Sequence, residues 1–129
     1  MFRFNVDTKK EKLEDFKAAI SSTVRSISNS QKIEITFGNQ ISKSDNNSIN
    51  LPDLEKENKI LNFEEIRAIA DSKSLRLRFS DEKILKRYEP EGTISKKLYS
   101  ISEKIRCEKI GTSYFKGVKS NIEKFYQKR

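Results

Sequence analysis

The chain has 129 residues, with 27 lysines and arginines against 19 acids, a net charge of +8, and 36% charged against 34% hydrophobic content. That length makes one domain with a core of its own, and the periodic placement of the apolar residues argues against disorder. Histidine and tryptophan are absent and cysteine occurs once, at Cys107. These absences remove Ser-His-Asp triads, histidine general bases and multi-cysteine or histidine zinc sites, and no GxxxxGK[ST] run supplies a P-loop. No apolar run is long enough to span a bilayer, the N-terminus MFRFNVDTKKEK lacks a signal-peptide core, and one cysteine makes no internal disulfide, so a cytoplasmic location is expected. The charge is uneven: residues 1–81 hold 14 basic against 13 acidic side chains, whereas residues 82–129 hold 13 against 6, a basic block of +7. Such a block suits acidic protein segments, nucleic acid or anionic membranes.

In chain order, Phe2, Phe4 and Val6 alternate, which suits a short edge strand or a disordered start. A helix is predicted over residues 8–29, with Leu13, Phe16, Ile20, Val24 and Ile27 as one stripe. Asp7 or Thr8 would cap it, with Glu11 completing a capping box and SISNSQ stopping it. KIEITF, residues 32–37, reads as a half-buried strand. Gly38-Asn39 follows as a turn, residues 42–48 as a polar loop, SINL as a second strand ended by Pro52, and residues 53–59 as a charged connector. Asn62 with Glu65 would cap a helix running to Phe79, although Leu75-Arg76-Leu77-Arg78-Phe79 alternates like a strand. No turn residue separates that run from the helix before it. Helix therefore wins, buried on two sides so that Leu75 and Phe79 find separate partners.

Ser80 would cap a short helix over residues 81–88 with Ile84, Leu85 and Tyr88 inward, and Glu89-Pro90-Glu91-Gly92 is a turn. The last segment opens at Thr93. Its stripe Ile94, Leu98, Ile101, Ile105 gives way to Phe115, Val118, Ile122, Phe125, so a break is expected near Gly111–Gly117. Phe16, Ile20, Val24, Leu98, Ile101 and Ile105 are the expected core. The whole reads as α+β, mostly α, a helical domain with a small two-stranded β element.

Three constellations carry chemistry. Arg76, Arg78, Lys83, Lys86 and Arg87 make a basic run that suits phosphates, an acidic partner segment or a solvated helix face. Glu64, Glu65 and Asp71 could form a carboxylate metal cluster, but for want of histidine Glu64 and Glu65 are better read as complementing a helix N-terminus. Within EKIRCEKIGTSYFKGVKSN, Glu103, Arg106 and Lys109 are three apart on one helical face, followed by Gly111 and Gly117. That set either braces a bend or presents a docking face. Cys107, with no histidine to activate it, reads as a buried inert thiol.

Five pieces in order, DFKAAISSTVRSIS with IEITFG, INLPDL, EEIRAIADSKSLRLRFSD, PEG, and EKIRCEKIG with FKGVKSNI, resemble the N-terminal region of the CobT family, a subunit of aerobic cobaltochelatase. The resemblance covers most of residues 14–122 and carries the family pattern onto Glu103, Arg106, Glu108, Gly111, Gly117, Val118 and Asn121. Ser80 stands where the family has histidine, and Ser72, Lys73 and Ser74 where it has alanines. The layout also resembles a zincin scaffold, but Ala68, Ile69 and Ser72 fall where an HExxH motif would need its ligands and base, so such a scaffold would be a dead one.

The resemblance implies a single N-terminal domain, residues 1–129, without the acidic linker and von Willebrand A domain of the family. It implies a non-catalytic assembly role in ATP-dependent cobalt insertion into a corrin ring, with the AAA+ ATPase subunit CobS and the large subunit CobN as partners. Cobalt, ATP and magnesium would belong to the whole complex, and neither cofactor nor metal to this domain. The expected partner contacts are Arg76, Arg78, Lys86, Arg87, Lys97, Glu103, Arg106 and Glu108, with Gly111 and Gly117 shaping the backbone. Neither membrane nor nucleic acid is expected as a partner. The alternatives are a basic nucleic-acid-binding module, resting on the +7 block, and a degenerate metallopeptidase-like enzyme.

Overall fold

The computed structural model describes residues 2–38, 47–53, 55–56, 59–60 and 63–127. The order is α1 (Phe2–Ser28), β1 (Glu34–Phe37), β2 (Ser48–Leu51), β3 (Glu55–Lys56), β4 (Lys59–Ile60), α2 (Phe63–Phe79), α3 (Glu82–Arg87), α4 (Thr93–Tyr114) and α5 (Lys116–Gln127). The domain is α+β and mostly helical. No helix is long and apolar enough to cross a membrane among the described residues.

Helix α1 starts at Phe2, not at residue 8. Asp7 and Thr8 therefore lie within the helix and not at its N-terminus. An isolated strand at residues 2–6 would leave its backbone groups without a ladder, whereas a helix satisfies them internally and no Gly or Pro interrupts it. The helix ends where Asn29 takes a left-handed φ of 59° and Ser30 N donates to Arg25 O at 3.1 Å. Strands β1 and β2 pair in parallel, with Ile35 opposite Ile49 and Phe37 opposite Leu51. Both faces of β1 are covered, since Thr36 is buried and takes a hydrogen bond from Asn50 Nδ2 at 2.8 Å. Within the expected connector, β3 and β4 form a small antiparallel pair. The expected Asn62 cap and the polar loop before Asn47 lie outside the described residues.

Helix α2 is the hub, packed against α1, α4 and α5. Its N-terminal half closes a first core with Ile20 and Val24 of α1, Ile33 just before β1, and Ile49 and Leu51 of β2, through Ile66 and Ala70. Phe16 is half-buried at its edge and stacks on Phe63 with ring centroids 4.1 Å apart. The C-terminal half supplies Leu75 to a second core with Ile27, Cys107, Val118 and Ile122. The strand-like run 75–79 is helical because α2 is covered on several sides: Leu75 enters the second core and Leu77 packs on the first. Lys73, the polar interruption in that stripe, remains exposed and donates to Asn50 O at 2.6 Å.

Three expectations fail around α3 and α4. Asp81, not Ser80, caps α3, accepting from Lys83 N and Ile84 N. Ile84 and Tyr88 are exposed, because a six-residue helix with no buried residue lies on the surface. Leu98, Ile101 and Ile105 face solvent at 60%, 53% and 56% exposure, as does Ile94. The side of α4 that meets α2 carries Glu103, Cys107, Glu108 and Gly111 instead. The break falls at Phe115, whose extended φ of −121° and ψ of 106° turn its ring into the second core. Gly111 is there for close approach: a Cβ on it would lie 2.2 Å from Leu75 Cδ2, whereas one on Gly117 would meet nothing within 4 Å.

Candidate functional site

The residues that carry the family pattern converge on the seam where α4 and α5 cover α2. Glu103 is buried and accepts from Ser80 Oγ at 3.0 Å and from Arg106 Nη2 at 3.2 Å, with a short bond from Arg106 Nε completing a bidentate pair. The same Nη2 donates to Phe79 O at 2.7 Å, the carbonyl of the last residue of α2. A guanidinium there satisfies a terminal carbonyl and complements the helix dipole. Arg106 first, and Ser80 to a lesser degree, hold the Glu103 carboxyl below its ordinary range.

A second bond set joins all three helices. Glu108, also buried, accepts from Ser72 Oγ of α2 at 2.7 Å and from the Tyr126 hydroxyl of α5 at 2.7 and 3.1 Å. Asp71, beside Ser72, accepts from Asn121 Nδ2 at 2.8 Å. Burial pushes the Asp71 carboxyl above its usual range, against the pull of Asn121 and Arg67. A folded-state pKa raised in this way contributes stability below the unfolded value and loses it as pH rises through the folded one. Asp71→Asn keeps an acceptor for Asn121 and is expected to raise the melting temperature at neutral pH, with the gain vanishing at acid pH. Thermal melts across that range check it.

Cys107 is fully buried, and desolvation first, then Glu103, pushes its thiol up. A thiol kept protonated and out of solvent is no nucleophile. Glu64, Glu65 and Asp71 do not gather, and no group of three or more His, Cys, Asp or Glu able to hold a metal occurs among the described residues. A cleft of about 340 Å³ bordered by Phe16, Phe63, Glu64, Glu65, Arg67, Asn121, Lys124 and Phe125 mixes charges of both signs, with no serine, threonine or cysteine in its lining.

The basic residues divide. Arg76 Nη1 donates to Ser100 Oγ at 3.2 Å, tying α2 to α4. Arg78 Nη1 donates to Ile27 O at 3.1 Å near the end of α1, and its guanidinium lies over the rings of Phe79 and Phe115 at 5.6 Å each. Lys86, Arg87 and Lys97 are exposed on α3 and the start of α4, with Arg87 5.8 Å from the centroid of the Tyr88 ring. The structure thus brings Glu103 and Arg106 together with Ser80, gives Glu108 different partners, and leaves the three outer cations at the surface.

Sequence reasoning did not find Asp71, Ser72 or Tyr126 as partners in this seam. Ser72 and Glu108 are 36 positions apart, and no periodicity links them. The available signal was the resemblance alone, which sets Ser72 where the family has alanine and carries the family pattern onto Asn121.

No solved structure matches this chain. The family model described as cobalamin biosynthesis protein CobT matches residues 10–129, which takes in both cores, the seam and every candidate residue. With nearly its whole length matched, the chain belongs to the CobT family of cobalamin biosynthesis.

Proposed function

We propose that this domain is a non-catalytic assembly element of the aerobic cobaltochelatase, acting with the AAA+ ATPase subunit CobS and serving the large subunit CobN. In this reading cobalt and the corrin ring are substrates handled elsewhere in the complex, and ATP hydrolysis belongs to the ATPase subunit. The observation that carries it is the occupation of the seam. Glu103, Arg106 and Glu108 are engaged with Ser80, Phe79, Ser72 and Tyr126 inside the domain, so they act as braces and the exposed cations are left for contact. Family membership supports the pathway, and the exposed Lys86, Arg87 and Lys97 support an acidic partner surface.

The test is a pull-down of this chain with purified ATPase subunit. Wild type should be retained. Lys86→Glu, Arg87→Glu and Lys97→Glu together should weaken association about tenfold or more at low salt and flatten its salt dependence, with the fold intact. Unchanged affinity at low salt would reject the role of these cations. Sequence-tolerant retention on nucleic acid, falling steeply with salt, in place of subunit binding would point to a nucleic-acid module instead.

A further inference from the structure

Helix α4 has two faces. Cys107 and Gly111 turn to α2, whereas Ile94, Leu98, Ile101 and Ile105 are 76%, 60%, 53% and 56% exposed. Ile105 and Cys107 are two residues apart, and a helix of 3.6 residues per turn sets them about 200° apart. Single exposed aliphatic side chains are ordinary, but four in one row are not. Their 4-3-4 spacing is that of a coiled-coil seam, about 16 Å long at 1.5 Å per residue. At its C-terminal end the row runs into a groove of about 480 Å³ between α4 and α5, floored by the buried Ile122 and bordered by Tyr126, Glu108 and Glu123.

The borders of the row decide what fits it. Lys97 and Lys104 flank one edge, and Ser95, Ser102 and Lys109 the other. Glu103 is turned away to Ser80 and Arg106, and Glu108, which lines the groove beyond Ile105, is buried and bonded to Ser72 and Tyr126, so no exposed carboxylate of α4 borders the row. A second copy of this chain is a poor occupant. In a parallel pair Lys104 would face Lys109, and in an antiparallel pair Lys97 would face Lys104. Nucleic acid offers phosphates to the lysines but nothing to four aliphatic side chains, and the row has no aromatic ring on which bases stack. The geometry points to a different occupant: we propose that the Ile94, Leu98, Ile101, Ile105 face of α4 docks an amphipathic helix of a partner protein whose apolar stripe is bordered by aspartates and glutamates. This deepens the assembly reading by naming the surface and the partner's chemistry, and rests on that reading for the existence of a protein partner.

The probes are two synthetic helical peptides of about three heptads with the same leucine stripe, one edged with glutamate and one with lysine. Titration into this chain at low ionic strength, followed by fluorescence anisotropy, should give the glutamate-edged peptide at least about tenfold tighter binding. The Leu98→Ser, Ile101→Ser double variant should lose that binding while keeping the wild-type melting temperature. Should it fail to fold, Lys97→Glu with Lys104→Glu serves instead and should reverse the preference between the peptides. Equal binding of both peptides, binding of neither, or unchanged binding by the variants would overturn the proposal. So would self-association in sedimentation, or binding to phosphatidylglycerol vesicles, that disappears in the serine variant. A chain that takes the glutamate-edged peptide but not the ATPase subunit keeps this proposal and removes the previous one. The reverse result keeps the assembly reading and removes this face.

Discussion

Leu75→Ala is expected to lower unfolding free energy by about 2–5 kcal/mol, the range for large-to-small changes in a core. Leu75 is fully buried in the second core with Ile27, Cys107, Val118 and Ile122. It also fixes where α4 passes, because its branched end lies against Gly111, where an added Cβ would sit 2.2 Å from Leu75 Cδ2 and 2.5 Å from Cδ1. Gly111→Ala alone therefore sets two effects against each other. Helix propensity favours alanine by about 1 kcal/mol. Overpacking against a side chain with no room to move costs about 1–3 kcal/mol, so the variant should be destabilised. In the Leu75→Ala background the obstacle is gone, and Gly111→Ala should become neutral or stabilising. A double-mutant cycle by urea denaturation measures this coupling. Additive single effects would mean that the two helices do not meet through this pair.

Arg106→Ala is expected to cost about 2 kcal/mol at neutral pH, because it leaves a buried carboxylate with Ser80 alone and frees the Phe79 carbonyl. The guanidinium is about half exposed, at 49%, so the loss should fall below that of breaking a fully buried pair. Glu103 has its folded-state pKa held down, first by Arg106. The stability it contributes is therefore present above the unfolded carboxylate value and is lost as pH falls through the depressed folded value. The difference between wild type and Arg106→Ala should shrink over that acid range, opposite in sign to the behaviour expected of Asp71. Denaturation curves at neutral and acid pH test this. Partner binding by the variant should fall only in proportion to its loss of folded protein. A fully stable variant that no longer binds would move Arg106 from the brace to the docking surface.

The local patterns that were legible share one cause: each concerned residues close in sequence, within reach of spacing and turn chemistry. The stripe of α1 from Leu13 to Ile27, the strands at KIEITF and SINL, and the end of α1 near Asn29 all follow from spacing and turn chemistry. The helical reading of residues 75–79 was correct because no breaker precedes Ser80. The change of stripe after Gly111 located the α4–α5 bend, which the structure places at Phe115.

What tertiary packing alone decided is which face of α4 is inside. By periodicity its best apolar row is Ile94, Leu98, Ile101 and Ile105, yet α2 meets the other side, where a cysteine, a glycine and two glutamates are buried. Those glutamates are acceptable inside only because Ser80 and Arg106 serve one, and Ser72 and Tyr126 the other. Partners up to 36 positions away are invisible to any window that reads neighbouring residues. The sequence by itself determined the main helices and the β1 and β2 strands, the exclusion of histidine and multi-cysteine chemistry, and the family. Only the tertiary structure turned Glu103 and Glu108 inward, paired Glu103 with Arg106, and left an apolar row with cationic edges facing solvent, because a helix with two usable faces is oriented by what packs against it.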